Sequence, residues 1–201
     1  MLIPTVIEKI PGGERYYDIY SRLLEERIVF VGEAIDDHVA NLVCAQLLYL
    51  EHRNPKKDVY MYIHSPGGII ESGLQILDAM NYISCPVVTV GLGSVASMGA
   101  VLLAGGTKGK RFVLPNCWIM IHQPSGGVKG PATDIQIAAK QINRYKEVLI
   151  DYLIQFTGQP RSKISKDIER DYWMNAKEAV EYGIADEIMK YQKKTWRPIY
   201  K

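Results

Sequence analysis

A serine, a histidine and a pair of glycines are the residues best placed to do chemistry together in this chain. Ser97 lies in GSVASMGA (93–100), between PVVTVG (86–91), which reads as a strand, and MGAVLLAG (98–105), which reads as a helix. On a sharp strand-to-helix turn a serine presents its hydroxyl with the next amide, that of Met98, behind it. A nucleophile and an oxyanion donor then stand side by side. The full nucleophile-elbow pattern has glycine on both sides of the serine; here Gly99 follows but Val95 precedes. The local motif therefore needs partners from elsewhere.

Two come from neighbouring strand ends. His122 closes the apolar run IMIH and is followed by QPSGG, where an imidazole can take the serine proton and return it to a leaving amine. SPGG (65–68) brings backbone close to a substrate at the start of a helix, and Gly68 N–H is a candidate oxyanion donor. Pro-Gly-Gly alone is ordinary turn chemistry; its weight comes from its position beside Ser97. His64 adjoins SPGG and is a second candidate base, whereas His38 and His52 fall on a predicted helix surface. A triad also needs a carboxylate, and no Asp or Glu occurs between Asp78 and Asp134. Asp134, Asp151, Asp167, Asp171 and Asp186 all remain open on residue grounds.

Other chemistries fit less well. GLGSVA (91–96) matches a dinucleotide fingerprint, but the acid expected about 20 residues later is missing. AGGTKGKR (104–111) resembles a phosphate-binding loop, yet Ala104 replaces its first glycine and Arg111 its magnesium-binding hydroxyl. Paired Cys/His spacing and HExxH are absent, so no metal and no cofactor is expected.

The elements that must position these residues follow from hydrophobic patterning. RIVFVG (27–32), DVYMYIH (58–64), PVVTVG and CWIMIH (117–122) read as strands, alternating with helices over 36–53, about 69–83 and 98–105. Asp36 or Asp37 is the expected cap of the first helix. A long helix fits 132–156, ended by Gly158 and Pro160, and a last strand fits ADEIMK (185–190). Such alternation predicts an α/β fold with a mostly parallel sheet, whose ligands gather at the carboxyl ends of the strands. Gly67 and Gly68, Ser97 and His122 all fall at such ends.

With 201 residues and 47% hydrophobic content, one soluble domain is expected. A formal charge of +2 gives no reason to expect nucleic acid or an anionic membrane as partner. Cys44, Cys85 and Cys117 read as free thiols, Cys44 and Cys117 in apolar runs, in a reducing compartment. No segment resembles a secretory signal or reaches the ~18 apolar residues of a membrane span, so a cytoplasmic or organellar location is expected. The basic, aromatic tail 191–201 reads as a loosely ordered terminus.

Together, SPGG, VASMGAVLLAGGTKGKRFVLPN, IMIHQPSGG and ERDYWMNAKEAVEYGIAD resemble the Clp serine peptidase family, the proteolytic subunits of the ATP-dependent Clp protease. The similarity runs in order from about residue 18 to 183. It implies a crotonase-like fold of the ClpP type with repeated βαβ units, in one peptidase domain over 18–190. An N-terminal axial segment (1–17) would precede it, and the 132–156 helix would be a protruding handle. Ser97 would be the nucleophile, His122 the base and acid, and Asp171 the orienting carboxylate, with oxyanion amides from Gly68 and Met98. Gly126 and Gly127 would pair with extended substrate, and Tyr60 and Tyr62 would line the docking cleft for an AAA+ unfoldase. Glu169 and Arg170 would form a ring-contact pair. The implied activity is a serine endopeptidase that cuts unfolded polypeptides inside two stacked heptameric rings of this chain or its paralogues, ATP being spent by the unfoldase.

The family usually has asparagine where this chain has His64, and Gln-Ala where it has Ser94-Val95. These departures motivate a second reading, a specialised or non-catalytic subunit of a mixed ring. A third is a crotonase-like acyl-CoA enzyme using the same oxyanion hole.

Overall fold

The computed structural model describes residues 2–190; the tail 191–201 lies outside them. The chain starts with an antiparallel hairpin, β1 (Thr5–Ile10) and β2 (Gly13–Asp18), turning at Gly12 with φ +98°. The residue pattern predicts no element there, and the resemblance implies only an axial segment over 1–17. Asp18 then caps α1 (Ile19–Glu25), its carboxylate accepting from Ser21 N–H at 2.9 Å.

Strands and helices alternate from this point: β3 (Ile28–Val31), α2 (Asp37–Arg53), β4 (Val59–Ser65), α3 (Ile70–Tyr82), β5 (Val87–Ala96) and α4 (Met98–Ala104). They are followed by β6 (Arg111–Val113), β7 (Trp118–Ile121), α5 (Ala132–Thr157), α6 (Arg161–Asp167), β8 (Tyr172–Asn175), α7 (Ala176–Tyr182) and β9 (Glu187–Ile188). β3, β4, β5, β6 and β9 lie side by side in parallel, as the alternation predicts. Of the two predicted caps Asp36 is the one used, accepting from Val39 N–H at 2.8 Å, while Asp37 accepts from Ser72 Oγ.

β5 is longer than its apolar run, extending through GLGSVA to Ala96. Thr89–Gly91 pair with β6 and Ser94–Ala96 with β7, both parallel, so one strand carries two neighbours in succession along one edge. The dinucleotide-like GLGSVA is therefore extended strand and not a phosphate-binding turn. β8 then returns antiparallel on β7, a strand that sequence reading did not place.

The core lies where α2, α3 and α4 cover the sheet. Val43, Leu47, Ile76, Leu77, Leu102 and Leu103 are all buried there. Each such side chain contributes roughly 1.5–3 kcal/mol over an exposed one. All of α4 is buried, so burial holds this short helix in place from its first residue. Arg111 of β6 is only 1% exposed, yet it is satisfied by Asp186 at 2.5 Å and by the carbonyls of Ala104 and Phe156. The residue that departs from the phosphate-loop pattern is thus a structural tie between β6, α4, α5 and the start of β9.

α5 differs from the other helices. At 26 residues it spans about 39 Å, and it buries only Leu149, Ile150 and Leu153. Its first half leaves Ile135 and Ile137 exposed. Gly158, at φ +74°, ends it in the left-handed conformation typical of a C-cap. Among the described residues no helix is long and apolar enough to cross a membrane.

Candidate active site

Ser97 sits at the junction of β5 and α4 with φ +55° and ψ −124°, a region that side-chain-bearing residues rarely occupy. Strain of this kind costs about 1–3 kcal/mol. Burial of Met98, Leu102 and Leu103 directly after it supplies more than that. The turn is also tied at both ends: Ser97 N–H donates to Met120 O at 2.9 Å, and Ala100 N–H donates to Ser97 O at 3.0 Å. The hydroxyl is thereby turned away from the strand direction and towards β7.

His122 follows the last residue of β7, and its Nε2 lies 2.9 Å from Ser97 Oγ. Its Nδ1 lies 3.2 Å from Asp171 Oδ1. That second contact is a product of β8. The β7–β8 register pairs Ile121 with Tyr172, so one step further brings His122 opposite Asp171, 49 residues away in sequence. The other open carboxylates are engaged elsewhere. Asp151 pairs with Arg161, Asp167 with Lys163 and Tyr182, and Asp186 with Arg111, while Asp134 lies in the first turn of α5.

The glycines of SPGG adopt conformations that only glycine enters readily: Gly67 at φ +89° and Gly68 at φ +157°. A Cβ on Gly67 would stand 2.5 Å from Ser97 Cβ and 2.9 Å from Met98 N. One on Gly68 would stand 2.1 Å from Ile35 O, and Ile35 N–H donates to Gly67 O at 2.9 Å. The loop is thus wedged between Ile35 and the serine turn. Ser65 braces it from within, donating from Oγ to Glu33 O at 2.7 Å and accepting from Gly67 N–H at 3.1 Å.

Gly68, Ser97, Met98 and His122 line one pocket of about 50 Å³, whose remaining walls include Ile70, Val101, Ile121, Leu149, Leu153 and Ile168. A hydroxyl paired with an imidazole, facing an apolar cleft beside a glycine loop, is suited to acyl transfer. Among the described residues no group of three or more His, Cys, Asp or Glu is gathered as a metal would require. The cysteines take no part: Cys117 is buried, and burial pushes its thiol up to about 12, leaving it un-ionised at neutral pH.

The remaining predicted residues are spread around this centre. Gly126 and Gly127 are exposed in the irregular stretch between β7 and α5. Tyr60 and Tyr62 share the face of β4 opposite the core, Tyr62 stacking on Phe30 at 5.5 Å. Glu169 and Arg170 are exposed on the turn before Asp171. A link absent from the sequence reading joins Glu169 to α5 and to Gln123, the residue that follows His122. Lys146 Nζ of α5 donates to Gln123 Oε1 at 2.8 Å and lies 3.3 Å from Glu169 Oε2, while Gln123 Nε2 donates to Glu169 O at 3.0 Å. The Lys146 ammonium holds the Glu169 carboxyl below its ordinary range. The one signal in the sequence is that Lys146 falls at helical spacing on the same face of α5 as the buried Leu149, Ile150 and Leu153, a charge on the apolar stripe that needs a partner.

Fold and site together define an α/β protein with a hydroxyl–imidazole–carboxylate relay at the carboxyl edge of a parallel sheet. A family model described as Clp protease matches residues 11–192. The chain belongs to the Clp protease family, whose members are peptidases, and the match covers the described fold from β2 to β9.

Proposed function

We propose that this chain is a serine endopeptidase that cleaves unfolded polypeptides through an acyl-enzyme on Ser97. The observation that carries the reading is the continuous relay from Ser97 Oγ through His122 to Asp171, at 2.9 and 3.2 Å. In the first half-reaction His122 Nε2 takes the hydroxyl proton as Ser97 Oγ attacks the scissile carbonyl carbon. The carbonyl oxygen then carries the negative charge, with Gly68 and Met98 N–H as its donors. Collapse breaks the C–N bond, and His122 gives the proton to the departing amine. Water then enters, loses a proton to His122 and attacks the acyl carbon; His122 returns a proton to Ser97 Oγ as the acid leaves. Asp171 keeps the imidazole in the tautomer that accepts at Nε2 and stabilises its cation.

The apolar walls of the pocket support a preference for an apolar side chain next to the cut bond. Gly126 and Gly127, free of bulky side chains, suit backbone pairing with an extended substrate. Within the crotonase-like reading of the fold, α5 is the handle joining two heptameric rings. Its exposed Ile135 and Ile137 are surfaces such a contact would bury, with Glu169 and Arg170 at the ring junction. Tyr60, 41% exposed, and its neighbour Tyr62 would dock an AAA+ unfoldase that spends ATP, so this chain needs no cofactor of its own. The hairpin of β1 and β2 would form the axial entry segment, and the assembly would work in the cytoplasm or an organellar matrix.

Two measurements decide the core of this reading: hydrolysis of an unfolded polypeptide by the wild type and by Ser97→Ala, and native mass of both. Loss of cleavage with the particle of fourteen chains intact is expected. Retained cleavage by a clean Ser97→Ala preparation would sink it.

A further inference from the structure

We infer that His64 is a positioning residue, whose imidazole fixes the spacing between the glycine loop at 65–68 and the Ser97 end of β5. This rests on the serine-peptidase reading above. β4 and β5 run in simple register until Ile63 pairs with Gly91, but the next pair is Ser65 with Val95. Two steps along β4 therefore match four along β5, and His64 alone stands opposite the bulge formed by Leu92, Gly93 and Ser94. Bulges re-aim the residues that follow them and need something to hold them.

The imidazole occupies that position. His64 Nδ1 lies 3.2 Å from Ser94 N and 3.2 Å from Leu92 O, the two shoulders of the bulge. In the Nε2–H tautomer Nδ1 accepts from Ser94 N–H; with a proton on Nδ1 it donates to Leu92 O. In each state one side-chain atom of β4 grips the backbone of β5. Gly93, at φ +62°, makes room for the ring, since a Cβ there would stand 2.8 Å from Nδ1.

The consequence for the site follows from short chain lengths. Gly67 lies three residues beyond His64, and Ser97 three beyond Ser94. These two residues are the pair that meet, with room for no Cβ between them. A slip in the bulge thus reaches the nucleophile and the oxyanion loop through three residues of each strand, where misplacement by about 1 Å costs on the order of 100-fold in rate.

His64→Ala, His64→Asn and His64→Gln separate this role from a general surface role. Asparagine carries its amide oxygen at the reach of Nδ1, whereas glutamine carries it at the reach of Nε2. The readouts are the rate of Ser97 labelling by a fluorophosphonate probe, kcat and KM on a short peptide, and native mass. Expected are about tenfold or greater losses of labelling rate and kcat in His64→Ala and His64→Gln, with little change in KM and recovery in His64→Asn. Wild-type labelling by His64→Ala overturns the inference, as does equal behaviour of the asparagine and glutamine variants. The latter comparison decides the matter even if His64→Ala does not assemble. A wild type that the probe does not label overturns the peptidase reading itself, and this inference with it.

Discussion

Gly67 and Ser97 meet with no space for a side chain between them: a Cβ on Gly67 would fall 2.5 Å from Ser97 Cβ and 2.9 Å from Met98 N. Gly67 also holds φ +89°, which an alanine adopts only with strain. Neither neighbour can yield cheaply, because Ser97 is tied to Met120 and Met98 is buried at the head of α4. Gly67→Ala should therefore displace the Ser97 hydroxyl or the glycine loop. The expected loss in kcat/KM is about 100-fold or more, against a destabilisation of roughly 1–3 kcal/mol. Peptide hydrolysis measured beside a thermal melt checks this, and a variant of near wild-type kcat/KM would show that the close approach does not set the geometry of Ser97.

Asp171 has a side chain 61% exposed, whereas His122, 3.2 Å from it, is 25% exposed. An orienting carboxylate replaced by its amide leaves the shape of a triad but favours the wrong histidine tautomer, at a cost of about 10⁴ where the acid is buried. Water can partly substitute at an exposed position. Asp171→Asn should accordingly lower kcat by about 100-fold, with KM and melting temperature little changed. Asp167→Asn, four residues away, should leave kcat unaltered, since Asp167 serves Lys163 and Tyr182. Equal kcat losses in both variants would remove Asp171 from its orienting role.

The contrast between these two aspartates marks where sequence reading stops. Apolar runs such as VYMYI and PVVTV announce strands, because a parallel sheet covered by helices demands near-continuous hydrophobicity. Ser97, His122 and SPGG could be placed at strand ends for that reason. Asp171 reaches His122 through β8, a four-residue strand with the burial pattern half-buried, exposed, buried, half-buried, which carries no periodic signal of its own. Only the resemblance singled it out. The extension of β5 beyond Gly91 was hidden similarly, since Gly91, Leu92 and Gly93 look like a loop until β7 pairs with Ser94–Ala96. Short-range propensity cannot see a partner that arrives from elsewhere in the chain.

Arg111 and Asp186 form the tie on which the β6 end of the sheet depends, and its strength should vary with pH. Burial by itself pushes the Asp186 carboxyl up, but hydrogen bonds from Arg111 and Gly109 and the guanidinium charge outweigh it and hold the group below its ordinary 3.8. A carboxylate depressed in the folded state contributes stability above its unfolded pKa, and that contribution fades as pH falls through the folded value. In Asp186→Asn the Arg111 guanidinium, 1% exposed, stays buried without its counter-charge. Breaking a buried pair in this way costs about 3–5 kcal/mol, so Asp186→Asn should melt well below wild type at pH 7. The gap should hold down to about pH 4 and narrow below it, as wild type loses the same interaction by protonation. Melting both proteins at one fixed concentration from pH 7 to 3 checks this, because assembly would otherwise shift the midpoint. A gap that stays constant across the whole range would mean that ionised Asp186 is not what Arg111 requires.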